Sequence, residues 1–375
     1  MKKLIALGLI ILVISLSAYA GAASEPIKIG GNYEVTGGVA TFGTACVNST
    51  KLYFDAINKK GGVLGRQLEL VVADNKSEAS EAASAMKKLI AQDKVVAVLG
   101  PVTSKNCLSA GPIAQDAKIP MITPTGTNPD VTKVGNYIFR ACFIDDFQGT
   151  VMANFASKTL KAKTAAIFVD NANDYSKGLA KFFKESFTKA GGKIVSEEAF
   201  MAGDKDFRTQ LTKIKLKKPD VIYLPAYYQE DGLAAKQARE LGINAPILGG
   251  DGWDSPDLLK IAGEKPLNNI YFSNHYSADS KDPLSIAYVK EYTAKFNSRP
   301  DALAALGYDA AVLIVEAIKK AGSDDPAKIR EALVASKVKG VSGIITFDAN
   351  RNPVKSAVVI ELKNGVQTYK ATVNP

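Results

Sequence analysis

Histidine and tryptophan occur once each in this chain of 375 residues, as His275 and Trp253, and cysteine occurs three times, as Cys46, Cys107 and Cys142. No cysteine pair has C-x-x-C spacing and no Cys/His set is spaced as ligands, so the sequence offers nothing to hold zinc. There is no G-x-S-x-G elbow and no phosphate-binding G-x-x-x-x-G-K-[ST] loop, and the single histidine has no Ser or Cys nucleophile near it in sequence. The glycine-rich stretch 30–43 lacks G-x-G-x-x-G, and Asp74 follows too far behind it for a dinucleotide fingerprint. Runs of like charge are also missing. The 47 Lys and Arg against 38 Asp and Glu give a formal charge of +9, but lysines such as Lys177, Lys181, Lys184 and Lys189 stand singly among acids. That pattern reads as a solvated lysine surface, not as a face for nucleic acid. The expectation is a protein that is not an enzyme, with no cofactor, no metal and no nucleic-acid partner. His275 lies in the mixed run Tyr271-Phe272-Ser273-Asn274-His275-Tyr276 and reads as a partly exposed strand-end residue.

The one long apolar run is at the N-terminus. Lys2 and Lys3 precede an apolar stretch from Leu4 to Leu16, and Ala18-Tyr19-Ala20 follows as a small-residue cleavage site. A charged start, a run too short to span a bilayer comfortably and an A-x-A exit predict a secretory signal peptide over residues 1–23. No cysteine stands beside the cleavage site to take a lipid, so the mature chain is expected to be exported, soluble and periplasmic. In an oxidising compartment the three cysteines allow one disulfide and a buried thiol, or three buried thiols.

About 350 mature residues exceed what one hydrophobic core usually serves, which predicts two domains. Short β-branched runs alternate with longer helical patterns. Strands are expected at 27–31, 68–73, 95–99, 119–122 and 137–140, with helices such as 45–59 and 78–92 between them. A second series follows at 164–169, 193–197, 221–224, 247–248 and 270–273, its helices marked by 3.6-residue spacing as in Leu179, Phe182, Phe183, Ser186, Phe187 and Ala190. Strands separated by helices of this length mean βαβ units and parallel sheets, hence an α/β fold of two doubly wound halves split near residues 145–149. Two helices at 283–297 and 302–321, then strands near 344–347, 358–362 and 367–372, invite the chain to cross between the halves more than once.

The chemistry sits where these strands end. Gly100-Pro101-Val102-Thr103-Ser104 follows the strand 95–99 and opens a helix, so free N–H groups and a hydroxyl stand at a strand's C-terminal edge, ready for a carboxylate. Ser104 capping its own helix is the plainer alternative. Thr123-Pro124-Thr125-Gly126-Thr127-Asn128 follows the next strand and adds short hydroxyl arms. Ligands of open α/β sheets bind outside the carboxyl ends of strands, so both loops should border one crevice. From the second half, Tyr175, Tyr227, Asp251 and Trp253 follow strands in the same way. They offer aromatic walls and an acid flanked by glycines, although Asp251 has the alternative of an Asx-turn. An anion site facing an acid with aromatics is what the carboxylate, ammonium and apolar side chain of an amino acid require.

At these residues the chain resembles the branched-chain amino-acid (Leu/Ile/Val) binding proteins of ABC importers, of the type I periplasmic-binding fold. The resemblance is carried by 36–43 (TGGVATFG), 58–66 (NKKGGVLGR), 145–149 (DDFQG), 203–207 (GDKDF) and 305–310 (ALGYDA), over essentially the whole mature length. It implies two lobes joined by a three-segment hinge: 25–145 with 275–358, and 146–274 with 359–375, crossing near Asp146, Asn274 and Val359. It also implies that Ser104 and the Thr127 N–H take a ligand carboxylate. The Thr125 carbonyl, the Thr127 hydroxyl and Asp251 would take the ammonium, with Phe42, Tyr175, Tyr227 and Trp253 as walls. The family pattern has Glu at the position of Asp251, Tyr at Phe42 and Ala at Thr125. Its disulfide positions are Ser77 and Thr103 here, so that bridge is absent. The implied function is a monomeric receptor delivering a branched-chain or other apolar amino acid to a membrane permease. The alternative is a receptor of the same fold for an amide, urea or aromatic acid.

Overall fold

The computed structural model describes residues 25–375; the N-terminal segment with its expected cleavage site lies outside the described residues. The first sheet has the order β2-β1-β3-β4-β5, with β1 at Ile27–Tyr33, β2 at Leu68–Asp74, β3 at Ala97–Leu99, β4 at Met121–Thr123 and β5 at Ile138–Arg140. Every pairing in it is parallel. β3, β4 and β5 are buried at all their positions, as strands covered on both faces must be. Strand order reverses between β1 and β3, so the loops after these two strands flank a switch-point crevice.

The second sheet has the order β14-β13-β10-β9-β8-β6-β7. Its strands are β6 (Thr164–Asp170), β7 (Lys193–Phe200), β8 (Val221–Tyr223), β9 (Ile247–Gly249), β10 (Ile270–Asn274), β13 (Ala357–Lys363) and β14 (Val366–Val373). The five strands from β7 to β10 are parallel, with the order reversing between β6 and β8. β13 and β14 join antiparallel, a feature the βαβ rhythm did not announce, because these strands arrive without a crossover helix. A hairpin of β11 (Lys337–Gly340) and β12 (Gly343–Thr346) stands apart from both sheets.

Helix Asp174–Lys189 shows how the pattern becomes packing. Asn173 caps it by accepting from the Tyr175 N–H, and Leu179, Phe183 and Phe187 at four-residue spacing are fully buried against the second sheet. Burying each of these side chains stabilises the fold by about 1.5–3 kcal/mol, and Phe183→Ala should cost about 3–5 kcal/mol. Helix Ala302–Ala321 is buried on nearly every face, because it lies between helix Ala40–Asn58 and strands β3 and β4. Asp301 caps it through the Ala304 N–H, and Gly322 ends it in the left-handed region.

The chain therefore leaves the first sheet after β5 and builds the second through β10. It then returns to pack two helices, Pro283–Phe296 and Ala302–Ala321, on the first, and goes back for β13 and β14. Cys46, Cys107 and Cys142 are three buried free thiols, which decides between the two arrangements left open by the sequence. Burial raises all three, Cys142 to about 12, so they act as apolar filling and not as nucleophiles.

Candidate ligand-binding site

One wall comes from the first sheet. After β3 the chain turns sharply at Gly100 (φ +90°), where a Cβ would collide with the Asn32 carbonyl oxygen. Glu34, just past β1 and fully buried, holds the turn that follows. Its carboxylate accepts from the Val102 N–H (3.0 Å), the Thr103 N–H (3.1 Å), the Thr103 hydroxyl (3.0 Å) and Asn106 Nδ2 (2.9 Å). Desolvation raises its pKa, opposed by these donors. Helix Ser104–Asp116 begins at Ser104, whose N–H has no carbonyl one turn back to meet. Its hydroxyl does not cap the helix: Ser104 Oγ accepts from the Asn128 N–H (3.1 Å) and keeps its own proton to donate.

The neighbouring loop after β4 is tied to this turn by Thr125 Oγ1, which donates to the Val102 carbonyl (2.8 Å). Arg140, at the end of β5 and fully buried, pins it from below through the Gly126 (2.7 Å) and Asn128 (2.9 Å) carbonyls. The Thr127 hydroxyl is buried without a hydrogen-bond partner.

The other wall comes from the second sheet. Asp251 opens a one-turn helix, Asp251–Trp253, straight after β9. Its Oδ1 accepts from the Tyr175 hydroxyl (2.9 Å), its Oδ2 faces His275 Nε2 (3.0 Å), and its N–H donates to Gln148 Oε1 (2.9 Å). The Tyr175 hydroxyl also accepts from the Gly252 N–H (3.0 Å). Burial, and then the Asp251 charge, push the Tyr175 pKa well up, so it remains a neutral donor. Tyr175 stacks on Tyr227 (centroids 5.2 Å, 16°), and Phe42 meets Tyr227 edge-on at 5.7 Å.

The walls close on a narrow cleft lined by Phe42, Val102, Ser104, Thr125, Tyr175, Tyr227, Asp251 and Leu303, among others, with room for about one water molecule between them. They touch at its rim, through Thr41 Oγ1 and Ser255 Oγ (3.1 Å) and through Asn128 Nδ2 donating to the Asp174 carbonyl (3.0 Å). Hydroxyl and N–H groups thus face an acid across an aromatic and aliphatic chamber. That set of groups is the chemistry a small zwitterion with an apolar body requires, and the walls must part to admit one.

Of the residues expected from sequence, Phe42, Ser104, Thr125, Tyr175, Tyr227 and Asp251 line this one cavity, while Thr127 does not. Two readings are corrected. Trp253 is no wall: it is fully buried, donates Nε1–H to the Leu224 carbonyl (2.9 Å) and packs in the core, because the short helix turns its side chain away from Asp251. His275 is not partly exposed: its side chain is 0 % exposed and lies over Phe143, with ring centroids 3.7 Å apart. Leu303 and Val102, not singled out from sequence, join the apolar lining. Glu34, Arg140 and Gln148 were missed. The available signals were an acid and an arginine at strand ends, and a glutamine one turn into a helix that begins beside the crevice.

The model of the periplasmic binding protein family matches residues 26–366. The chain belongs to that family. It is 37% identical over 312 residues to the Leu/Ile/Val-binding protein BraC3 of Rhizobium johnstonii, spanning 83% of this chain and 84% of that one. Among solved structures it superposes on the leucine binding protein LivK of Thermotoga maritima with a TM-score of 0.89 at 41% identity, covering 93% of this chain and 99% of that one. It also superposes on LivJ of Streptococcus pneumoniae in complex with isoleucine, with a TM-score of 0.88 at 41% identity and coverage of 93% and 100%. The family read from sequence is the family matched: these relatives are substrate-binding receptors of transporters, and this chain is a binding protein rather than an enzyme. Among the described residues no helix is long and apolar enough to cross a membrane.

Proposed function

We propose that the mature protein is a periplasmic, monomeric receptor that captures a branched-chain amino acid between its lobes and delivers it to a membrane permease. The observation that carries this reading is the single cavity with Ser104 on one wall and Asp251 on the other. The Ser104 N–H and hydroxyl receive the ligand carboxylate, and the Thr127 N–H joins them only if the loop after β4 shifts when ligand enters, since Thr127 does not line the cleft here. Asp251 and the Thr125 carbonyl receive the ammonium; the Thr127 hydroxyl, buried outside the cleft, is left out of this contact set. Phe42, Val102, Tyr227 and Leu303 surround the side chain. Segments 25–145 with 275–358 form one lobe, and 146–274 with 359–375 the other. A ligand that touches both favours the closed arrangement over the open one.

An aromatic acid, the main rival ligand, would satisfy the anion wall but leave the Asp251 carboxylate buried opposite no cation, an unfavourable arrangement. A thermal-shift panel of leucine, isoleucine, valine, benzoate, urea and acetamide decides between them. The proposal requires the largest rise in melting temperature with the branched-chain amino acids, and a rise confined to molecules without an α-ammonium refutes it.

A further inference from the structure

Asp251 is a short acid asked to present a charge across a cavity, and its side chain is fixed by two donors of different origin. Tyr175 binds Oδ1 from the aromatic wall and itself lines the cavity. His275 binds Oδ2 from behind and does not line it. His275 is the first residue after β10, where the chain leaves the second sheet for the first. Its ring rests on Phe143, which lies in the first inter-sheet connection, between β5 and the helix Asp145–Asn154. The acid is thereby anchored to two of the three segments that connect the sheets.

We infer that His275 is a positioning and specificity residue: its Nε2–H fixes the Asp251 carboxylate so that the remaining lone pairs face a ligand ammonium. Because Nε2 faces a carboxylate, that nitrogen carries the proton. Desolvation holds the imidazole below its usual range, opposed by Asp251, so the ring is a neutral donor. A neutral donor orients the acid without cancelling its charge, leaving the charge to be neutralised by the ligand. A lysine or arginine at the same place would occupy the acid and select against an ammonium. The inference rests on the amino-acid reading of this site.

A double-mutant cycle tests it, with leucine affinity measured by calorimetry on H275L, H275Q, D251N and the H275L/D251N pair. We expect H275L to weaken leucine about 10-fold, in line with loss of a hydrogen bond to a charged group. In the D251N background the same change should alter affinity less than about twofold, and H275Q, which keeps an N–H donor, should restore most of the loss. Should H275L fail to fold, H275Q and H275N in both backgrounds give the same cycle from a preserved donor and a shortened one. Unchanged affinity in H275L, or an equal loss in both backgrounds, overturns the inference. An unweakened D251N overturns the amino-acid reading itself; a weakened D251N beside an unaffected H275L overturns only the role of His275.

Discussion

The two walls of the cavity reach opposite charge preferences by different means. The anion wall is built from backbone and hydroxyls, and the charged residues that shape it, Glu34 and Arg140, are buried behind it and line no part of the cavity. The acid wall is built from side chains: Asp251 lines the cavity itself and is held by Tyr175, His275 and Gln148. On the proposed reading, a carboxylate ligand meets dipoles preorganised by remote charges, whereas an ammonium meets a full charge preorganised by neutral donors. The first wall should be sensitive to its supports and the second to its contact residue.

The supports of the anion wall give the largest expected effect. Glu34→Ala leaves the buried N–H groups of Val102 and Thr103 without acceptors, at about 1–3 kcal/mol each, so urea unfolding should show a loss of about 3–5 kcal/mol together with lost leucine binding. On the acid wall, Asp251→Asn should leave stability nearly intact and weaken leucine roughly 10–100-fold in calorimetry, as removal of a charge-assisted hydrogen bond predicts. If Asp251→Asn instead destabilises the fold as much as Glu34→Ala does, the contrast between support and contact fails. Ser104→Ala, a contact on the anion wall, removes one hydroxyl while the helix N-terminus stays, and a loss of about 10-fold is expected.

A pH dependence lies between the walls. Asp145 is buried, accepts from Gln148 Nε2 (3.2 Å) and is raised to about 8 by desolvation first and the Asp251 charge second. A carboxyl whose folded pKa lies above its unfolded value near 3.8 favours the fold fully below that value, and the contribution is lost as pH rises through the folded pKa. Melting temperature should therefore fall between about pH 4 and pH 8, and Asp145→Asn should flatten that slope. An unchanged slope in the variant would assign it to other buried acids, such as Asp301, also raised to about 8.

Much of this was legible before the structure, for a topological reason. Parallel strands end together, so Ser104 and Thr125 gather at one edge of the first sheet, and Tyr175, Tyr227 and Asp251 at one edge of the second; that the two edges face each other was carried by the family resemblance. Residues whose meaning depends on orientation were not legible. Trp253 stands two residues from Asp251, yet one helical turn sends it into the core. Leu303 obeys the same periodicity as the buried Leu306 and Leu313, and only its place at the helix start brings it to the cavity. His275 meets Asp251 because β9 and β10 are neighbours, a pairing that spacing along the chain does not encode. Glu34 and Arg140 act on backbone groups of distant loops, and backbone leaves no mark in a sequence.

The central claim is that both charged ends of one amino acid are gripped from opposite walls. Calorimetric titration of leucine against 4-methylpentanoate, the same molecule without its ammonium, tests it directly. The account predicts that the acid binds at least about 100-fold more weakly, since it leaves Asp251 buried and unpaired. Equal affinities would contradict it.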